Sequence, residues 1–205
     1  MAKVPSVKGS VFGGVVEEFR KLLAGGEVTR EQAGRWLRPA DLELVDAPIA
    51  VAAWYDVGAF VRLNELLRDV VGDGSNEYLR ERGRESARRL LEGGLYSQLE
   101  YLQRTEVARV TDSRARHEAF GRDIRRLTTI SGSIYNFATW TPAKDRDHAL
   151  RYLVELTDAA PFADPLCWRA EGFMNHMATQ HGDPDLWLWR RLTRDVVRFD
   201  MVRDL

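Results

Sequence analysis

The chain has 205 residues, 44% of them hydrophobic, enough to bury a substantial core in one domain or two small lobes. Its 30 basic and 31 acidic residues leave a net charge of -1, which gives no global attraction to nucleic acid or to an anionic membrane. The single cysteine, Cys167, excludes an intrachain disulfide framework and fits a reducing cytoplasm. The opening residues hold no apolar run of signal-peptide length, and nowhere do about 18 apolar residues follow one another, so no membrane span is expected.

The first half reads as helical. Val11 to Leu23 places Val15, Phe19 and Leu22 or Leu23 on one face, and Gly25-Gly26 stops it. Thr29 is a good N-cap for a short helix through Trp36 and Leu37, ended by Pro39. The apolar run Ile49 to Trp54 predicts buried extended backbone, and Asp56 then caps a helix from Val57 to Val71 with the stripe Phe60, Leu63, Leu67. Gly72-Asp73-Gly74-Ser75 breaks the pattern. A further helix, Asn76 to Leu91, carries Leu79, Gly83, Ala87 and Leu90 at helical spacing; Gly93-Gly94 ends it, and Leu95 to Thr105 reads as another short helix.

A second lobe, 111–205 against a helical lobe of 1–110, starts near Ser113, with Asp112 or Ser113 capping a helix to about Arg126. The period then changes from 3.6 to 2. Ile134 to Trp140 and Ala149 to Leu156 alternate like strands, joined by the polar loop Thr141 to Asp147. Asp164, Pro165 and Gly182 bracket one helix with the inner face Leu166, Ala170, Phe173 and Met177. Leu186 to Leu192 and Val196 to Val202 alternate most cleanly, with a turn at Thr193-Arg194-Asp195. The expected fold class is α+β: a helical N-terminal half packed on a small antiparallel sheet of about four strands, covered by one central helix, in one compact domain.

Little here resembles a catalytic or metal site. In the run Arg80 to Glu85 the acidic residues alternate with arginines, which predicts a solvated helix face, and Gly83 with Ala87 predicts close packing on another helix. The cluster Arg114, Arg116, Arg122, Arg125 and Arg126 has fewer acidic partners, yet helix surface remains the simpler reading. His176 and His181 are five apart, not the four that aligns two imidazoles, so no metal and no cofactor are expected. Cys167 falls in the first turn of its helix, where the dipole favours a thiolate; the alternative is a buried structural thiol. The phosphate-loop, dinucleotide and nucleophile-elbow signatures are all missing.

The helix Pro165-Leu166-Cys167-Trp168-Arg169-Ala170-Glu171-Gly172-Phe173, between two strands and a final hairpin, resembles the vinyl-four-reductase (V4R) class. That class groups bacterial effector-binding domains with transport-particle (TRAPP) subunits and, more distantly, haem-nitric-oxide-binding domains. Val7-Lys8-Gly9-Ser10-Val11-Phe12, Trp54-Tyr55 and the run from Tyr78 to Ala87 are similar to a myxobacterial family of uncharacterised proteins. The resemblance implies a non-enzymatic cytoplasmic module that binds an apolar small molecule or a partner protein, often as a homodimer. The chain departs from the zinc-holding relatives, which use several cysteines where Cys167 is alone, and from the haem-binding ones, whose Tyr-x-Ser-x-Arg signature is missing, so neither group is expected.

The aromatic residues sharpen that expectation. Trp54, Tyr55, Tyr135 and Phe137, with Cys167 and Phe173, are the candidate lining of an apolar pocket; core or interface is the alternative for the aromatics. Trp187 and Trp189 share a strand face with polar Arg191 and Thr193, which suggests an uncovered face and makes them the candidate dimer interface. An enzyme built on Cys167 and Glu171, and a scaffold without a small ligand, are the competing readings.

Overall fold

The computed structural model describes residues 4–92, 112–179, 182 and 184–205. Gly93-Gly94, the helix expected from Leu95 to Thr105, and His181 lie outside the described residues. The described chain is α+β, with a helical N-terminal half, a two-stranded antiparallel sheet and a four-stranded one.

The N-terminal half opens with β1 (Ser6–Lys8), α1 (Gly9–Gly25), α2 (Arg30–Ala33) and α3 (Pro39–Asp46), followed by β2 (Trp54–Asp56), α4 (Val57–Val70) and α5 (Asn76–Glu92). Two caps act where the sequence predicts them. Thr29 Oγ1 accepts from the Gln32 N–H at 3.1 Å, and the Gln32 side chain answers by accepting from the Thr29 N–H at 2.8 Å. Asp56 accepts from the Gly58 and Ala59 N–H groups, both at 3.1 Å. Two expectations fail. Pro39 opens a helix rather than merely ending one, because its fixed φ and missing N–H suit a first helical position. Residues 49–54 are not buried extended backbone: Val51 is 69% exposed, and 54–56 pair as an edge with β1.

The second half comprises α6 (Ser113–Ile134), β3 (Thr139–Lys144), β4 (Tyr152–Thr157), α7 (Asp164–Thr179), β5 (Trp187–Thr193) and β6 (Val196–Met201). The sheet is antiparallel in the order β3-β4-β6-β5. Here α6 continues to Ile134, eight residues past the expected Arg126, so 134–138 are not a strand. The strand begins at Thr139 and takes in Pro142, which an edge strand tolerates since a proline there need donate to no neighbour.

One hydrophobic core joins both halves. It holds Phe12, Phe19, Phe60 and Leu63 from the helices and Val154, Leu156, Val197 and Phe199 from the sheet. The helix α7 closes against α5 through two glycines. A Cβ on Gly83 would stand 2.0 Å from the Arg169 carbonyl oxygen, and one on Gly172 would stand 2.0 Å from that of Arg80. The close packing expected at Gly83 is thus realised as backbone against backbone.

The sheet faces are assigned the other way round from the sequence reading. Trp187 is 2% exposed and Trp189 is packed against the core, whereas Leu188 on the opposite face is 53% exposed. Both tryptophans therefore fail as an exposed interface. Arg191 misleads because its guanidinium folds back to Asp164 at 2.9 Å and to the Phe162 carbonyl at 2.7 Å, so a long polar residue occupies a covered face. The open face instead carries a charged ladder in which Arg190 and Arg198 reach Asp200 at 2.7 and 3.0 Å.

Buried histidine makes stability pH-dependent. Burial lowers the pKa of His117 and of His176 below the ordinary 6.5. The unfolded chain then binds protons first, so their contribution is complete above about pH 6.5 and is lost as pH falls through the lower folded-state values. Carboxylates held low by arginine, such as Asp41 beside Arg62, act only below the ordinary 3.8. The melting temperature is expected to fall between pH 7.5 and 5.5, and His117→Gln with His176→Gln to flatten that slope in calorimetry.

Candidate functional site

The helices α1, α5, α6 and α7, with the covered sheet face, line a half-open cavity of about 610 Å³. Its wall is mainly apolar: Val15 from α1, Ile124, Leu127 and Ile130 from α6, Phe173 and Met177 from α7. Each lies on a helix face spaced at three or four residues, which is why the same periodicity that builds the core also lines the cavity.

The lining also includes polar side chains. Arg169, on α7, sits deep within the fold but keeps partial accessibility, and it lines the cavity. Its Nη1 donates to Asn64 Oδ1 at 2.5 Å and its Nη2 to Ser86 Oγ at 3.2 Å, both neutral partners, and its guanidinium rests over the Phe60 ring at 5.4 Å. No described carboxylate forms an ion pair with it. Burial presses its pKa downward; the Glu18 carboxylate favours its charge and Arg82 opposes it. Nearby Glu18 accepts from Tyr78 Oη at 2.6 Å and from Arg82 Nη1 at 3.0 Å, so it is already engaged.

Of the six residues expected to line a pocket, the structure brings two to this cavity, Tyr135 and Phe173. Burial drives the Tyr135 hydroxyl up to about 12, and Arg169 acts against that shift. The other four stand elsewhere. Trp54 is 41% exposed, with Lys8 Nζ 4.3 Å from its ring centre. Tyr55 stacks on Phe12 at 4.8 Å and accepts from the Ala50 N–H at 2.8 Å, a structural role. Phe137 packs on Tyr135 and Phe162. Cys167 is fully buried, with Arg191 Nη2 3.7 Å from its sulfur. Trp187, expected at an interface, contributes to the cavity wall instead.

The Cys167 and Glu171 pairing does not form a nucleophile with its base. Burial pushes the thiol up to about 12, overriding any help from the helix N-terminus, and its Sγ lies 3.8 Å from the Phe162 carbonyl. Glu171 is committed to Arg80 at 2.6 Å and to the Trp189 N–H at 2.9 Å. The folded protein is expected to resist iodoacetamide at pH 8 and to take up one label per chain in guanidinium; rapid native labelling, read by intact mass, contradicts this.

Arg169, Asn64 and Ser86 escaped the sequence reading, although a signal existed. Arg169 lies four residues before Phe173 and three after Leu166, which puts a charge within the inner face assigned to that helix. Asn64 falls four residues after Phe60 in the same way. Among the described residues no group of three His, Cys, Asp or Glu side chains could hold a metal ion, and no helix is long and apolar enough to cross a membrane.

No protein-family model matches the chain, no curated protein matches it, and no solved structure matches its fold.

Proposed function

We propose that this protein is a non-enzymatic module that holds an apolar small molecule in the cavity between α1, α5, α6 and α7 and passes its occupancy to a partner. The observation that carries this reading is the cavity itself. Its volume of about 610 Å³ falls within the range of small-molecule pockets, and its wall is largely apolar with a few converging polar groups. The V4R-like resemblance of the α7 segment leads to the same expectation, as does a cytoplasmic setting for a chain with one cysteine.

Transmission has a simple route. The cavity wall includes Gly83 and Arg169, which meet at the glycine-mediated contact of α5 with α7, so a ligand that spreads the wall shifts that contact. The open sheet face, bearing Leu188 and Leu192 beside its charged ladder, is the surface proposed for a second copy or a partner protein.

Native mass spectrometry of protein purified from its host tests the reading. A stoichiometric small-molecule adduct, removed by solvent extraction and restored by adding back the extract, is the expected result. A mass equal to the chain alone, with a specific protein captured in its place, favours the scaffold reading.

A further inference from the structure

We propose that the ligand of this cavity is an amphipathic monoanion, with an apolar body against the helical wall and a carboxylate head set on Arg169 and Tyr135. This rests on the ligand-holding reading above and names the chemistry of the same site.

Three observations lead there. First, the acidic residues of the cavity wall are each provided for by an arginine: Glu18 by Arg82 at 3.0 Å, Glu85 by Arg89 at 2.9 Å, and Asp123 by Arg126 at 3.0 Å. Arg169, part-buried on that wall, has only neutral partners among the described residues. A buried guanidinium is ordinarily matched by a carboxylate, because an uncompensated charge away from water is costly.

Second, Arg169 has donors to spare. A guanidinium offers five N–H groups, and Asn64 and Ser86 take two of them. The remainder suit a planar carboxylate better than a point anion. The Tyr135 hydroxyl, in a residue lining the same cavity, has no hydrogen-bond partner in the described structure and supplies one more donor.

Third, the rest of the wall excludes a small hydrophilic anion. The same cavity is lined by Ile124, Leu127, Ile130 and Met177, which reward an apolar body and would leave a bare phosphate or acetate poorly solvated. Lys8 is the weaker seat for the head, since its bond to the Ala52 carbonyl, at 3.1 Å, is exposed at the rim beside the Trp54 ring, where water screens its charge.

The decisive comparison uses decanoate and methyl decanoate, matched in body and differing in charge, titrated at pH 8 and followed by tryptophan emission, since Trp140 and Trp187 line the cavity. Wild type is expected to bind decanoate at least about tenfold more tightly than the ester, the gain of a charge-assisted hydrogen bond. Arg169→Met should bring the two probes within about twofold of each other, chiefly by weakening decanoate. Tyr135→Phe should lower decanoate affinity by about threefold and narrow its lead over the ester, and it serves alone if Arg169→Met does not fold. Equal binding of the two probes by wild type, or a preference that survives both substitutions, overturns the anionic head and leaves the cavity reading standing. Binding of neither probe overturns the cavity reading itself.

Discussion

Gly83→Ala is expected to lower the melting temperature by about 6–12 °C, the consequence of about 3 kcal/mol lost in a chain of this size. The added methyl carbon would lie 2.0 Å from the Arg169 carbonyl oxygen and 2.8 Å from the Phe173 nitrogen. Both are backbone atoms, so no side chain can swing aside, and the two helices must separate. The opposing glycine repeats the situation, since a Cβ on Gly172 meets the Arg80 carbonyl oxygen at 2.0 Å. Separating the helices also draws Ser86 away from Arg169, so ligand affinity should fall with stability. Gly132→Ala is the control. Its Cβ has nothing within 4 Å and it lies inside α6, so it is expected to stabilise by about 0.5–1 kcal/mol. A Gly83→Ala protein that melts with wild type would show that the helices do not meet in this way.

Glu171→Ala is expected to cost about 3 kcal/mol, the low end for breaking a buried pair because Arg80 keeps some access to solvent. The carboxylate is 2% exposed and serves two elements at once: Oε1 accepts from Arg80 on α5, and Oε2 accepts from the Trp189 N–H on β5. Removing it leaves the Arg80 guanidinium, above the Trp168 ring at 4.3 Å from its centre, with only Glu77 among the described residues as a carboxylate partner, at 3.0 Å, and leaves a backbone N–H of the sheet unpaired. Glu171→Gln keeps an acceptor for Trp189 and should cost about half as much, measured by chemical unfolding. Equal losses for the two substitutions would place the whole effect in the ion pair. No loss in either would remove the anchoring role.

How far the sequence could be read depends on whether the deciding signal was local. Caps at Thr29, Asp56 and Asp112 and the breaks after Gly25 and Gly72 are short-range chemistry, and they set the helix starts and stops seen in the fold. Gly83 was legible as a contact because a small residue on an otherwise long-chained helix face has few other uses. The end of α6 was not. Ser131, Gly132 and Ser133 are weak helix formers, and packing of Ile130 and Ile134 beside Met177 and Phe173 carries the helix past them. The period of β5 was legible while its facing was not. Alternation separates two faces but does not say which is covered, and Arg191 supplied a polar clue of the opposite sign. The cavity is a tertiary product of four helices. Only the charge at Arg169 within an apolar face announced it in advance.

The central claim, that the helices line a ligand-holding cavity, is tested most directly by titrating the folded chain with the neutral dye N-phenyl-1-naphthylamine, alongside an Ala170→Phe variant. Ala170 lies on the cavity wall, so the larger ring projects into the space the dye would occupy. The expected result is an emission rise that saturates at one dye per chain in wild type, is reversed by methyl decanoate, and is abolished in Ala170→Phe with circular dichroism unchanged. A rise that never saturates, or one that Ala170→Phe leaves intact, would contradict the account.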